Sequence, residues 1–139
     1  MFFSTILGFA AAVSAASLPS VPKVLARGDD GAISCDKPSN VDGPIQEREN
    51  FVEGQEYLRS LGTCVAEANS CSRVSCSNDA GMWLCAGDEK AEVDCGLIAD
   101  YMDHIFDECQ SDGQTYVKAA YGSQENSDGW TVEVGWDYC

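Results

Sequence analysis

Eight cysteines, Cys35, Cys64, Cys71, Cys76, Cys85, Cys95, Cys109 and Cys139, constrain this chain of 139 residues more than any other feature. No pair has CxxC spacing, and the single histidine, His104, has no thiol at zinc-ligand spacing, so the usual zinc knuckles and ribbons are not matched. In an oxidising compartment an even count in a small chain reads as a disulfide framework, whereas in a reducing one it favours metal or redox chemistry. The compartment therefore decides what the cysteines are for.

The first residues, MFFSTILGFAAAVSAA, form an unbroken run of apolar and small side chains. The run is too short to span a bilayer and ends in the small residues a signal peptidase reads. It predicts a signal peptide over residues 1–16, cut after Ala15 or Ala16, and hence a secreted, extracellular protein with four disulfides and no free thiol. Residues 17–34 carry two prolines and no periodicity, which predicts a disordered leader, or a short propeptide if Arg27 is a processing site. Residues 35–139 are then one disulfide-rich domain, long enough for a single core and too short for two.

Acidic residues outnumber basic ones 23 to 8, a net charge of −15. With no basic stripe to neutralise phosphates, nucleic acid is excluded as a partner. Anionic membrane surfaces are repelled in the same way.

Periodicity predicts an α+β fold: two helices packed on one face of an antiparallel sheet, stapled by disulfides. The first helix is expected at about 44–61, with Pro44 in its first turn, Gly62 at its end, and Ile45, Val52, Leu58 and Leu61 as its apolar side, interrupted by Gly54 and Gln55. In CSRVSCSNDAGMWLC, Arg73–Ser77 and Met82–Ala86 read as a hairpin around NDAG. An even turn places Val74, Cys76, Trp83 and Cys85 on one face, taken as the core face. In DCGLIADYMDHIFDEC, Ile98, Met102, Ile105 and Cys109 recur at helical spacing over residues 94–109, with Asp94 as the cap. Two last strands, Gln114–Tyr121 and Trp130–Tyr138, are expected to flank a polar loop, GSQENSDG.

Cys95 and Cys109 lie near one side of the second helix at opposite ends. Geometry thus favours hairpin-to-helix bonds, with Cys76 and Cys85 joined to Cys95 and Cys109, and Cys35, Cys64, Cys71 and Cys139 paired among themselves. The other side of the same helix carries Asp100, Asp103, His104 and Asp107. Such a set can chelate a divalent cation weakly, but a solvated acidic face is the commoner meaning. Trp130, Val132, Val134, Trp136 and Tyr138 alternate with polar residues, and the tryptophans fit core packing better than a sugar-binding platform. GxSxG, HExxH and phosphate-loop signatures are absent from the sequence, so no catalytic, cofactor-binding or metal residue is assigned.

The cysteine hairpin CSRVSCSNDAGMWLC, the helix DCGLIADYMDHIFDEC and the closing strand WTVEVGWDYC together resemble the small secreted cysteine-rich proteins of filamentous fungi, many of them candidate effectors. The architecture also resembles killer-toxin and necrosis-inducing-factor folds. The resemblance implies no catalytic residues. It implies a non-enzymatic, monomeric, effector-like or toxin-like protein that binds an extracellular host or microbial protein or glycan without a cofactor. A secreted hydrolase using a carboxylate pair is the alternative.

Overall fold

The computed structural model describes residues 30–110 and 119–139. The expected signal peptide, Arg27 and most of the expected strand Gln114–Tyr121 lie outside them. In chain order the elements are β1 (Asp30–Ser34), β2 (Gln46–Glu47), a 3-10 turn (Arg48–Phe51), α1 (Val52–Ser60), β3 (Thr63–Ala66), β4 (Cys71–Ser77), β5 (Ala80–Ala86), β6 (Ala91–Asp94), α2 (Cys95–Cys109), β7 (Ala119–Ala120), β8 (Gly122–Asn126) and β9 (Trp130–Trp136).

The main sheet is antiparallel, in the order β1-β8-β9-β5-β4, and two small ladders pair β2 with β7 and β3 with β6. Its inner face is built from opposed pairs, Met82 with Val134 and Leu84 with Val132. Both helices cover this face, with α2 against β1, β8 and β9, and α1 against β4. The fold is thus the expected α+β arrangement.

α2 forms where helical spacing placed it. Asp94 caps it by accepting the Gly96 N–H at 2.7 Å, and Ile98, Tyr101, Met102, Ile105 and Phe106 are fully buried. The first helix is shorter than expected, because residues 41–47 do other work. Val41 packs on Gly135, Gly43 lies so close to the Trp136 ring that a Cβ would collide with it, and the Gln46 amide donates to the carbonyls of Asn78 and Asp79 at 3.2 and 3.0 Å. This segment is a strap around the hairpin end of the sheet. Of the apolar side expected for α1, only Leu58 is buried, while Ile45, Val52 and Leu61 are exposed. The apparent interruption makes the contact instead: Gly54 permits close approach to Ser75 and Met82, and Gln55 donates to Ala99 O of α2 at 3.0 Å.

The hairpin turns on two residues, Asn78 and Asp79, with φ of 52° and 56°, the left-handed pair that a tight I′ turn requires. Ala80 and Gly81, expected in the turn, are strand residues. The register slips at Val74, between the pairs Arg73–Trp83 and Ser75–Met82. Cys76, Trp83 and Cys85 do share a face, but it is the outer one. Residues 80–84 are all buried, because β5 is central and the strap covers its outer side, so no alternation marks which face carries the helices.

That face decides the disulfides. The hairpin cysteines point away from α2, and the hairpin-to-helix pairing expected from spacing is replaced by Cys71–Cys85, directly opposed across the hairpin, and Cys76–Cys139. α2 is clamped at both ends as expected, but by other partners: Cys95 to Cys64 of β3 and Cys109 to Cys35 just after β1. Residues 30–34, which the sequence groups with the leader, are a sheet strand paired with β8. β8 in turn occupies the segment expected to be a polar loop, and the turn narrows to the residues around Ser127–Gly129.

Peptide mapping without reduction should recover these four pairs and no others. Opening Cys64–Cys95 and Cys35–Cys109 should free α2 from Trp130, which packs at 5.1 Å on Tyr101. The resulting red shift in fluorescence should vanish in Trp130→Phe; a shift that persists would place the reporter at Trp83. Gly43→Ala should lower the melting temperature, since overpacking against a rigid ring costs about 1–3 kcal/mol. The gain from a less flexible unfolded chain, about 0.4–1 kcal/mol, is smaller.

Candidate functional site

The four polar residues of α2 weighed as a weak cation site, and read as a solvated acidic face, are taken up in other contacts. Asp103 accepts from Arg48 at 2.5 Å and Arg59 at 3.2 Å, Asp107 pairs with Arg48 at 3.0 Å, and Asp100 pairs with Arg59 at 3.1 Å. Arg48 comes from the 3-10 turn and Arg59 from α1, so the carboxylates of α2 serve as the seam between the helices. Burial works against the charge of Asp103, but hydrogen bonds from Gln55, Arg48 and Arg59 outweigh it and hold its carboxyl below the usual value. Arg59 is raised by its hydrogen bond to Asp100, and Arg48 is raised by Asp107 and Asp103 against its own desolvation. His104 turns the other way, its Nδ1 at 3.2 Å from Oε1 of the buried Gln124.

The remaining candidates are structural as well. Trp130, Val132 and Val134 are buried under α2. Trp136 meets Tyr138 edge-on at 4.4 Å, and Tyr138 itself is 73% exposed. Cys71, Cys85 and Glu133 bring ligand atoms within 4.8 Å of one another, but the two sulfurs are bonded to each other and offer no thiolate to a metal. Asn40 of the strap takes up this corner, donating to Glu133 Oε2 at 2.7 Å.

A concave feature among the described residues lies elsewhere, where α1 meets the free edge of the sheet. Gly54 seats α1 on Ser75, and Glu53 beside it and Tyr57 one turn after Glu53 line the groove beside β4. Together with Arg73, Val74, Ser75, Cys76 and Ser77 they enclose a groove of about 440 Å³. Its walls are set. The Cys76–Cys139 bond ties β4 to the last residue, and Arg73 donates to Asp137 Oδ2 at 2.7 Å and to the carbonyl of Tyr138 at 3.1 Å. Tyr57 is 52% exposed. Glu53 accepts only a weak hydrogen bond from Asn78 Nδ2, at 3.3 Å, and forms no ion pair among the described residues. Ser77 Oγ is buried in the groove wall without a hydrogen-bond partner. A buried hydroxyl left unpaired costs about 1–3 kcal/mol.

Sequence reading passed over this groove. Its one sequence signal is Gly54 in the middle of a helix, where glycine is unfavourable unless packing requires it.

Asp103 contributes stability that is full above the ordinary carboxylate value of 3.8 and is lost as pH falls through its lower folded value. Denaturant unfolding of the wild type and Asp103→Asn should therefore show a gap near neutral pH that narrows in acid. A gap independent of pH would mean that Asp103 acts by packing alone.

No family model, no curated protein and no solved structure matches the chain, so the groove is defined by the residues that line it.

Proposed function

We propose that this chain is a secreted, non-enzymatic binding protein of the effector or toxin kind that its cysteine pattern resembles, and that it holds an extracellular host or microbial component in the groove between α1 and β4. Four disulfides suit an oxidising compartment, and no helix of the described residues is long and apolar enough to cross a membrane. The observation that carries the reading is the groove itself: an open cleft with a covalently pinned wall and an exposed tyrosine at its lip. Rigid walls lower the ordering cost of binding, and exposed tyrosines supply contact area at little entropic cost.

The alternative, a hydrolase using a carboxylate pair, finds less support here. Glycoside cleavage needs two carboxyl groups facing one bond, and Glu53 is the one carboxylate among the groove-lining residues.

Capture of components from extracellular fluid by the secreted protein tests the binding reading. Tyr57→Ala should abolish capture and His104→Ala should leave it intact. Loss of a measurable hydrolytic activity in His104→Ala would instead identify an enzyme built on the single histidine.

A further inference from the structure

We infer that the occupant of the groove is an extended, cationic peptide segment that joins the sheet as a strand along the free edge of β4. The inference rests on the groove being the recognition site, and it specifies the chemistry of what enters.

The main chain supplies the first part. β4 is an edge strand, bonded to β5 on one side and to no strand on the other among the described residues. In an antiparallel ladder, alternate residues turn their N–H and C=O groups away from the partner strand. The two-residue turn at Asn78 and Asp79 makes Ser77–Ala80 a hydrogen-bonded pair, so the next pair, Cys76–Gly81, turns its backbone groups outward, and beyond the bulge Arg73 does the same. An extended peptide satisfies such groups by strand addition. The groove, open along this edge, also provides room for one row of its side chains beside Tyr57.

Charge supplies the second part. The five basic side chains among the described residues are all engaged internally: Lys37 with Asp42 O, Arg48 and Arg59 with the α2 carboxylates, Arg73 with Asp137, and Lys90 with Glu92. Glu53 and Glu56, both exposed on α1, form no ion pair there. At a net charge of −15 a second copy is repelled, while a basic segment is drawn in. The bulge at Val74 discourages edge-to-edge pairing of identical strands. It also restricts an added strand to a short stretch around Arg73–Ser77.

The probe is a blocked octapeptide alternating lysine and valine, titrated into the full-length secreted protein by calorimetry and by amide NMR. Binding should shift amides of Arg73–Ser77 and weaken as salt is raised. It should fall about tenfold or more when the peptide backbone is N-methylated at alternate positions, and about fivefold in Glu53→Gln. Glu53 is exposed and its one hydrogen bond, from Asn78, is weak, so Glu53→Gln should leave the melting temperature unchanged, which separates a binding role from a folding one. The matching glutamate and valine peptide should not bind. Failure of the lysine peptide, or binding indifferent to N-methylation, would overturn the inference, as would groove-dependent self-association or capture of a neutral oligosaccharide. If capture from extracellular fluid is still lost in Tyr57→Ala when the lysine peptide fails, the groove stands and the cationic strand falls. If capture survives Tyr57→Ala, the groove itself is the wrong site.

Discussion

The position of α2 governs the rest of the molecule. Covalent bonds hold it at both ends, Cys95 to β3 and Cys109 to the end of β1, so it cannot slide along the sheet or tilt away from it. Its buried side lays Ile98, Met102 and Ile105 on the inner face. Its polar side then presents three carboxylates at fixed spacing, and Arg48 and Arg59 meet them. Those two arginines, with the Phe51–Phe106 contact at 5.0 Å, set α1 beside α2. Where α1 lies decides where the groove lies. Individually the ion pairs are half-exposed and weak, but they share Asp103, and they orient a helix whose apolar side is too poor to orient itself.

The disulfides differ in what they do. In the chain-entropy picture, the bond spanning 74 residues restrains the unfolded chain by about 4.5 kcal/mol and the one spanning 14 residues by about 3 kcal/mol. Each is a large fraction of the net stability of a small domain. Cys71–Cys85 joins strands that the hairpin turn already pairs, so it adds least to topology. Cys76–Cys139 ties the segment after β9 back to β4, and in doing so it fixes the strand that forms the groove wall.

How much was legible in the sequence follows from burial. α2 was readable because one side is buried and the other solvated, so its period shows. β9 was readable for the same reason at period two. β5 was not, because both its faces are covered and AGMWL carries no alternation. β8 was mistaken for a loop because its inward residues are polar: Gln124 and Asn126 are 2% and 5% exposed, and they reach His104 and Tyr101 rather than water. A buried polar strand and a surface loop have the same composition, and only the partners distinguish them. The disulfide pairing failed because nothing in AGMWL marks which face of β5 meets the helices, and because the bulge at Val74, which sets Cys71 opposite Cys85, leaves no mark in a single sequence. The groove was hidden similarly, since its seat is a glycine that looks like a flaw in a helix.

The buried polar residues under α2 also explain why the inner face tolerates no alternative register. Tyr101 donates to Asp30 and accepts from Asn126, both at 2.7 Å, joining α2 to β1 and to the end of β8. Sliding β8 by one residue would turn Gln124 and Asn126 outward and leave the Tyr101 hydroxyl and His104 facing apolar side chains. Each orphaned group would cost about 1–3 kcal/mol, against a gain from added apolar burial that the small and polar residues of GSQEN cannot supply. Hydrophobic contacts alone would allow several arrangements of so short a strand. The hydrogen bonds select one, and the Cys35–Cys109 bond at the end of β1 holds it in place.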